Sequence, residues 1–185
     1  MEVVLTIKSE EQIMDAVAMR RALQRMAHEI LDRNGGPANL ALVGLQTRGV
    51  FIARRMAAII EAAEGVQAPL GILDVTMYRD DYRVALKQPT VKVTSIPYDV
   101  ERFTTVLVDD VFYTGRTVRS ALDAIMDFGR PRRVQFAALI DRGHRELPIQ
   151  ADYVGKHIQT ADDEIVEVRM SEEDGEERVV LIKRP

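Results

Sequence analysis

The chain has 185 residues, of which 46% are hydrophobic and 29% charged, and its formal net charge is −4. This composition is typical of one globular domain with enough apolar residues to bury a sizeable core. The negative charge argues against a protein that coats nucleic acid indiscriminately, because such binding needs a basic face that releases counterions, and it leaves a local basic patch open. The absence of cysteine excludes disulfides and thiolate chemistry, and the three histidines, His28, His144 and His157, lack metal-ligand spacing.

No apolar run approaches the roughly 20 residues that a membrane span needs. Residues 1–11 also lack a basic segment followed by an apolar one. We therefore expect a cytoplasmic protein with no membrane partner. Arginine greatly outnumbers lysine. That bias suits bidentate contacts with phosphate, and it equally follows from codon usage in the source genome.

The first predicted elements are a short strand and a long helix. Residues 3–7 alternate weakly, which predicts the strand. The helix begins at Ser9, where Gln12 completes a capping-box pattern, or at Asp15, which is an equally good N-cap. Apolar residues then recur at helical spacing from Met19 onward, and the helix ends near the Asn-Gly-Gly-Pro segment at residues 34–37.

Buried strands then alternate with helices. The apolar runs at residues 40–45 and 104–109 predict strands that are buried on both faces, and a helix follows each, at residues 50–63 and near residues 118–125. The other predicted strands cover residues 70–78, 133–140, 152–158, 164–170 and 178–183, with alternation also at residues 91–96 and an acidic hairpin turn before the last strand.

This alternation predicts an α/β domain that spans residues 1–185, with a mainly parallel sheet and right-handed connections. No repeat, low-complexity tract or linker divides the chain. The polar residues 79–89 predict a lid or hairpin next to the sheet. Their charges are equally compatible with a solvated hairpin tip.

Two adjacent carboxylates, Asp109 and Asp110, end one buried strand, and the turn TGRT at residues 114–117 leads into the next helix. In such a sheet, ligands bind beyond the carboxyl ends of the strands, and a helix N-terminus binds phosphate through its unpaired N–H groups. Gly115 lets the backbone close around an anion. The carboxylates repel phosphate but suit hydroxyls or a hydrated cation, so the order predicts a ribose 5-phosphate site. The alternative is a solvated acid pair beside an ordinary helix cap.

The motif VLVDDVFYTGRT resembles the phosphoribosyl pyrophosphate (PRPP) signature of type I phosphoribosyltransferases. With TRGV, MYRDD, FGRPRRVQ and DRGHRELPI, it is similar to the family of bifunctional pyrimidine-operon regulators and uracil phosphoribosyltransferases (PyrR). The similarity runs from about residue 20 to residue 155, and DRGHRELP disfavours a transferase for another base. The resemblance implies the type I phosphoribosyltransferase fold, in which helices flank a mainly parallel central sheet beside a small hood and a flexible lid hairpin.

The resemblance also implies a reaction and a set of site residues. Uracil and PRPP would give UMP and pyrophosphate, with Mg²⁺ as the cofactor, held by Asp109 and Asp110 through water. Besides the role at the base that the resemblance implies, His144 is compatible with an ordinary surface histidine. The implied residues are Asp109, Asp110, Val111, Tyr113, Thr114, Gly115, Arg116 and Thr117 for the 5-phosphate and ribose, Thr47, Arg48 and Gly49 for pyrophosphate, Arg79, Asp80 and Asp81 for the lid, and Asp141, Arg142 and His144 for the base and nucleotide.

A regulatory function is implied as well. The family binds leader RNA of pyrimidine operons, more tightly with uridine nucleotides such as UMP and UTP, and it forms homodimers and homotetramers. Arg21, Arg25 and His28 are spaced i, i+4, i+7 and form one helix stripe, which by itself is more typical of a solvated face. The implied RNA-binding residues are Arg21, Arg25, His28, Arg33 and Arg145.

Several positions depart from the family pattern. Gln150 stands where the family usually has arginine, and Asp162 stands where lysine or arginine is common; His157 and Gln159 replace asparagine and proline. Fewer positive charges weaken phosphate contacts and their salt dependence. Two alternatives to a bifunctional protein therefore stay open: a nucleotide-sensing regulator with little transferase activity, and a transferase that has lost RNA binding.

Overall fold

The computed structural model describes residues 9–75 and 93–183. The predicted strand at residues 3–7 and the lid residues Arg79, Asp80 and Asp81 lie outside this part of the chain. The elements are β1 (Ser9–Asp15), α1 (Ala16–Asn34), β2 (Leu40–Leu45), α2 (Arg48–Glu64), β3 (Leu70–Leu73), β4 (Thr104–Phe112), α3 (Arg116–Met126), β5 (Arg133–Asp141), β6 (Tyr153–His157), β7 (Glu164–Arg169), α4 (Ser171–Asp174) and β8 (Arg178–Lys183).

Five parallel strands form the central sheet in the order β3, β2, β4, β5, β6. Alternate residues of these strands belong to two cores, because successive side chains of a strand point to opposite faces. Leu42 and Val106 pack with α1 and α2 in one core. Val43 and Leu107 pack with α3 in the other. The predicted α/β fold, with a mainly parallel sheet flanked by helices, is thus confirmed.

A second sheet of three antiparallel strands, in the order β1, β8, β7, forms the small hood. Because residues Ser9–Asp15 are a strand, the alternative in which the first helix begins at Ser9 is wrong. Asp15 is the N-cap of α1, and its Oδ1 accepts a hydrogen bond from the Ala18 N–H at 2.7 Å. The acidic turn between β7 and β8 contains the short helix α4, which the sequence pattern did not predict.

The connections of the sheet determine where a site can form. β2 leads through α2 to β3 on one side, whereas β4 leads through α3 to β5 on the other. Ligands bind where the connections of a parallel sheet diverge in this way, at the carboxyl ends of the strands. The segments that follow β2 and β4 therefore meet at one crevice. Within the described ranges, no helix is both long and apolar enough to cross a membrane.

Candidate active site

A cavity of about 480 Å³ opens at the carboxyl end of β4. Seven of the eight residues predicted for the 5-phosphate and ribose line it, and Asp110 is the exception. The loop after β5 and the hood contribute the opposite walls. The other lining residues are Phe112, Val118, Arg142, Glu146 and Val166.

The floor of this cavity is the turn that enters α3. Gly115 is the N-cap of α3 and has φ 93°, a left-handed conformation that favours glycine. Arg116 and Thr117 lie in the first turn of the helix, where backbone N–H groups lack intrahelical partners and attract anions. The Thr114 carbonyl accepts hydrogen bonds from the N–H groups of Glu146 and Leu147, at 3.0 and 3.3 Å. The loop after β5 thus holds the turn in place.

The two acids lie within β4 and not after it, because the strand continues to Phe112. Asp109 is buried and Asp110 is half-buried. Consecutive residues of a strand point to opposite faces, which explains why Asp109 lines the cavity and Asp110 does not. Asp109 Oδ1 accepts a hydrogen bond from the Asp110 N–H at 3.0 Å, and Asp110 Oδ1 accepts one from the Val111 N–H at 2.9 Å. Both carboxylates are thereby oriented by the backbone.

The residues predicted to bind pyrophosphate begin α2. Thr47 is the N-cap and follows a cis peptide bond from Gln46, while Arg48 and Gly49 belong to the first helical turn and not to a loop. A Cβ on Gly49 would lie 2.4 Å from the Val108 carbonyl oxygen. Only glycine therefore allows α2 to begin directly against β4.

Arg48 is held by a hood residue. Its Nε and Nη2 donate to the two carboxylate oxygens of Asp174 at 3.0 and 2.6 Å. These hydrogen bonds are the main reason that the pKa of Arg48 is raised, and the charges of Asp174 and Asp110 raise it further, against the effect of burial. The same hydrogen bonds hold the pKa of Asp174 below its usual value.

The structure divides the residues predicted for the base and nucleotide. Arg142 is buried and lines the cavity; its Nε donates to Thr160 Oγ1 at 3.1 Å, and its Nη2 donates to the Glu164 carbonyl at 2.7 Å. Its guanidinium carbon lies 4.1 Å from the centre of the Tyr113 ring. His144, at φ 58°, does not line the cavity, and its Nε2 donates to the Thr160 carbonyl at 2.7 Å.

Asp141 faces a neighbouring depression that Arg145 and His157 also line. Asp141 forms an ion pair with Arg145, and its Oδ1 accepts a hydrogen bond from the Gly143 N–H at 3.0 Å. The Arg145 guanidinium lies 3.3 Å from the centre of the Phe112 ring and donates to the Gly143 and Tyr113 carbonyls. Both side chains therefore brace the loop after β5.

The residues predicted to bind RNA fall into two groups. Arg21, Arg25, His28 and Arg33 are exposed on α1, whereas Arg145 belongs to the braced loop after β5.

Arg25 Nη1 donates to Glu29 Oε1 at 2.9 Å, and its Nη2 donates to the Val154 and Gly155 carbonyls of β6. Arg33 forms an ion pair with Asp152 at 3.0 Å. Arg21 and His28 make no hydrogen bond or ion pair with any residue that the structure describes.

Three residues that the sequence pattern did not single out belong to this site. Glu146 lines the cavity and accepts a hydrogen bond from Arg116 Nε at 2.6 Å, Val166 of β7 forms a wall, and Asp174 holds Arg48. Glu146 lies 30 residues from Arg116 along the chain, and Asp174 lies 126 residues from Arg48. No local motif signals such pairs, because tertiary packing alone brings them together.

The comparisons with known proteins agree with this geometry. A model of the phosphoribosyl transferase domain matches residues 9–173. A bifunctional protein PyrR of Pelotomaculum thermopropionicum is 56% identical over 176 residues, which cover 95% of this chain and 97% of that protein. The bifunctional protein PyrR of Thermus thermophilus is 52% identical over 178 residues, which cover 96% of this chain and 98% of that protein.

Among solved structures, the hypoxanthine phosphoribosyltransferase of Trypanosoma cruzi with its product IMP superposes with a TM-score of 0.72. It covers 100% of this chain and 98% of its own, and the identity is 17%, which shows a shared fold. The resemblance in the motifs is thus confirmed by a domain model and by relatives over nearly the full length. The chain belongs to the phosphoribosyl transferase domain family and, within it, to the bifunctional PyrR proteins.

Proposed function

We propose that the protein transfers the phosphoribosyl group of PRPP to uracil, giving UMP and pyrophosphate, and that it regulates pyrimidine genes by binding leader RNA in response to uridine nucleotides. Family membership supports both activities. The observation that carries the transferase is the cavity itself, in which a buried carboxylate, a Thr-Gly turn and a helix N-terminus converge. A ribose 5-phosphate requires groups that bind hydroxyls next to groups that bind phosphate.

The 5-phosphate binds at the start of α3 in this proposal. The first-turn N–H groups and the positive end of the helix dipole offset its charge, and the hydroxyls of Thr114 and Thr117 add donors. Asp109, which lines the cavity, accepts hydrogen bonds from the ribose hydroxyls, whereas Asp110 lies outside the cavity and contributes its charge next to Arg48. The ribose then lies above the end of β4, with its anomeric carbon facing the start of α2, where Arg48 receives the diphosphate.

The reaction forms a bond between uracil N1 and the anomeric carbon, breaks the bond from that carbon to the diphosphate, and releases the N1 proton. Because the transition state has oxocarbenium character, the developing negative charge is on the departing diphosphate. Arg48 and the N-terminus of α2 lie where they can stabilise that charge. Arg142, held by the Thr160 side chain and the Glu164 carbonyl, forms a rigid wall that orients the base.

Asp109, the acid of β4 that lines the cavity, fits a magnesium ion that is shared with the substrate. Mg²⁺ usually binds through one or two carboxylates, with water and substrate phosphates completing its octahedron. In the described residues, no group of three or more histidine, aspartate or glutamate side chains could form a complete protein site. Asp109 would hold the ion through water, and the ion would supply Lewis-acid neutralisation of the diphosphate.

The transferase is tested by Asp109→Asn. We expect kcat/KM for PRPP to fall roughly 10- to 100-fold, because hydrogen bonds that involve a charged group contribute about 1.5–3 kcal/mol. The measurement is UMP formation from uracil and PRPP. Asp123→Asn is the control, since Asp123 is an exposed residue of α3 that pairs with Arg119 and does not line the cavity. Unchanged transfer in Asp109→Asn would show that the assigned site is wrong.

RNA binding is assigned to the exposed arginines of α1. Arg21 supports this role because it makes no ion pair or hydrogen bond with the described residues, so its charge is available to phosphate. Arg25 is partly neutralised by Glu29, which lies 2.9 Å away. The structure therefore favours Arg21 as the larger contributor of the two.

Filter binding to the leader RNA of the protein's own pyrimidine operon, with and without UMP, tests this assignment. We expect Arg21→Ala to weaken binding and to reduce the slope of log K against log salt by about 1. Arg20→Ala is the matched control, because Arg20 lines the groove between α1 and α2. If the wild type transfers phosphoribosyl but does not bind RNA, the protein is a transferase only. If it binds RNA but forms no UMP, it is a nucleotide-sensing regulator without transferase activity.

A further inference from the structure

The guanidinium of Arg48 is held along one edge by a carboxylate, and its remaining nitrogen has no partner among the residues that the structure describes. Its Nε and Nη2 donate to Asp174 Oδ2 and Oδ1 at 3.0 and 2.6 Å, in the bidentate geometry that arginine and carboxylate favour. Its Nη1 makes no hydrogen bond with any residue in the described ranges. The side chain is 28% exposed. Arg48 therefore retains a donor edge that a ligand can reach.

The carboxylate that holds Arg48 is itself fixed. Asp174 ends α4, and its Oδ2 also accepts a hydrogen bond from the N–H of the buried Met170 at 2.8 Å. Two turns further along α2, Arg55 donates to Glu172 and Glu177 at 2.7 and 2.6 Å. The turn between β7 and β8 is thus attached to α2 at two points, and Asp174 has little freedom to move.

Asp174 has two opposite effects on an anion that approaches Arg48. By fixing the side chain, it removes rotamer entropy that binding would otherwise cost. By neutralising the guanidinium charge, it weakens the attraction between Arg48 and the anion. The two effects change the KM for an anionic substrate in opposite directions when the carboxylate is removed, so a single measurement separates them.

We propose that Asp174 is a positioning residue for the diphosphate end of PRPP, which holds Arg48 by its Nε–Nη2 edge so that Nη1 donates to a diphosphate oxygen. The bidentate geometry and the second anchor at Met170 favour positioning over simple neutralisation, because neutralisation requires no such orientation. This inference rests on the proposed function, in which Arg48 binds pyrophosphate. It adds a hood residue that reaches the reaction only through Arg48.

The test is Asp174→Asn, which keeps the size of the side chain and removes its charge. We expect the KM for PRPP in the forward reaction, and the KM for pyrophosphate in the reverse reaction from UMP, to rise roughly tenfold or more, by analogy with the loss that follows when the outer hydrogen-bond partner of a metal-binding side chain is removed. The KM for uracil and the affinity for UMP, measured by calorimetry, should not change because neither ligand contains a diphosphate.

Glu172→Gln is the matched control. It weakens the attachment of the same turn through Arg55 and leaves Arg48 paired, so a general loosening of the hood would change both variants alike. A second test is the double variant Arg48→Ala with Asp174→Asn. If Asp174 acts through Arg48, the second substitution has no further effect on the KM for PRPP. This comparison stays informative even where Asp174→Asn lowers stability. The effect of Asp174→Asn is measured once against the wild type and once against Arg48→Ala.

An unchanged or lowered KM for PRPP in Asp174→Asn, with an active wild type, would overturn the positioning role. An additive effect of Asp174→Asn in the Arg48→Ala background would overturn it as well. A wild-type protein that forms no UMP would refute the proposed function and not this role alone. The two failures are therefore distinguishable in one set of assays.

Discussion

Gly49 allows the first turn of α2 to lie directly against β4. A Cβ at this position would be 2.4 Å from the Val108 carbonyl oxygen and 3.1 Å from the Asp109 Cα. Both atoms belong to backbone, which cannot move as a flexible side chain does. The residue thus controls the distance between Arg48, at the start of α2, and Asp109, within β4.

Gly49→Ala is expected to separate these two parts of the site and to reduce kcat/KM for PRPP at least tenfold, because small displacements of positioned groups are costly to catalysis. UMP formation and thermal unfolding measure the effect. Ala62→Gly, at an exposed position of the same helix, is the control; it should lower stability by about 1 kcal/mol and leave transfer unchanged. Full activity in Gly49→Ala would contradict the close-packing argument.

At the scale of elements, α1 begins where the hood ends. Asp15 is the last residue of β1 and also the N-cap of α1, so one residue ends the strand and satisfies an otherwise unpaired N–H group of the helix. The apolar face of α1, with Met19, Leu23 and Met26, is completely buried against the sheet. The cap therefore stabilises the junction between the hood and the body of the protein.

Asp15→Ala is expected to lower the free energy of unfolding by about 1 kcal/mol, since it removes the side chain that accepts from the Ala18 N–H. Urea denaturation provides the measurement. Asp15→Asn retains an N-capping oxygen, so its free energy of unfolding should lie within a few tenths of a kcal/mol of the wild-type value. Equal stability of the alanine and wild-type proteins would show that the cap contributes nothing here.

At the scale of the whole molecule, ion pairs connect the hood to α2. Arg48 pairs with Asp174, and Arg55 pairs with Glu172 and Glu177. Within the hood, Arg169 binds carboxylates of β1, β7 and the β7–β8 turn. These contacts tie together segments from both ends of the chain, so their loss would affect the molecule as a whole.

Acid should weaken this connection. Hydrogen bonds from Arg48 lower the pKa of Asp174 in the folded protein below the unfolded value of 3.8, against a smaller opposing effect of burial. A carboxylate with a lowered folded pKa contributes stability above its unfolded pKa, and this contribution is lost as the pH falls through the folded value. We expect the urea midpoint to fall as the pH drops below about 4.

In Asp174→Asn this acid-dependent part of the stability should be smaller, because the variant has no carboxylate to protonate at residue 174. Asp123→Asn, which removes an exposed carboxylate on α3, serves as the control and should keep the wild-type pH profile. Identical pH profiles for Asp174→Asn and the wild type would show that protonation of Asp174 does not cause the loss of stability in acid.

Local sequence determined much of this protein. The continuous apolar runs predicted buried parallel strands, because a strand covered on both faces needs no polar residues. The strand–acid–acid–turn–helix order predicted the 114–117 turn at a helix N-terminus, and the motifs identified the family that the comparisons confirmed. These features depend on residues that are neighbours along the chain, so their physical causes are visible in the sequence.

Tertiary structure decided the rest. The pleat of β4 placed Asp109 in the cavity and Asp110 outside it, and β1 formed where the sequence also allowed a helix. Asp174 reached Arg48 across 126 residues, a pairing that α4 and the hood create. Each outcome depends on which distant segments pack together, and the free energy of that packing comes from the folded chain as a whole.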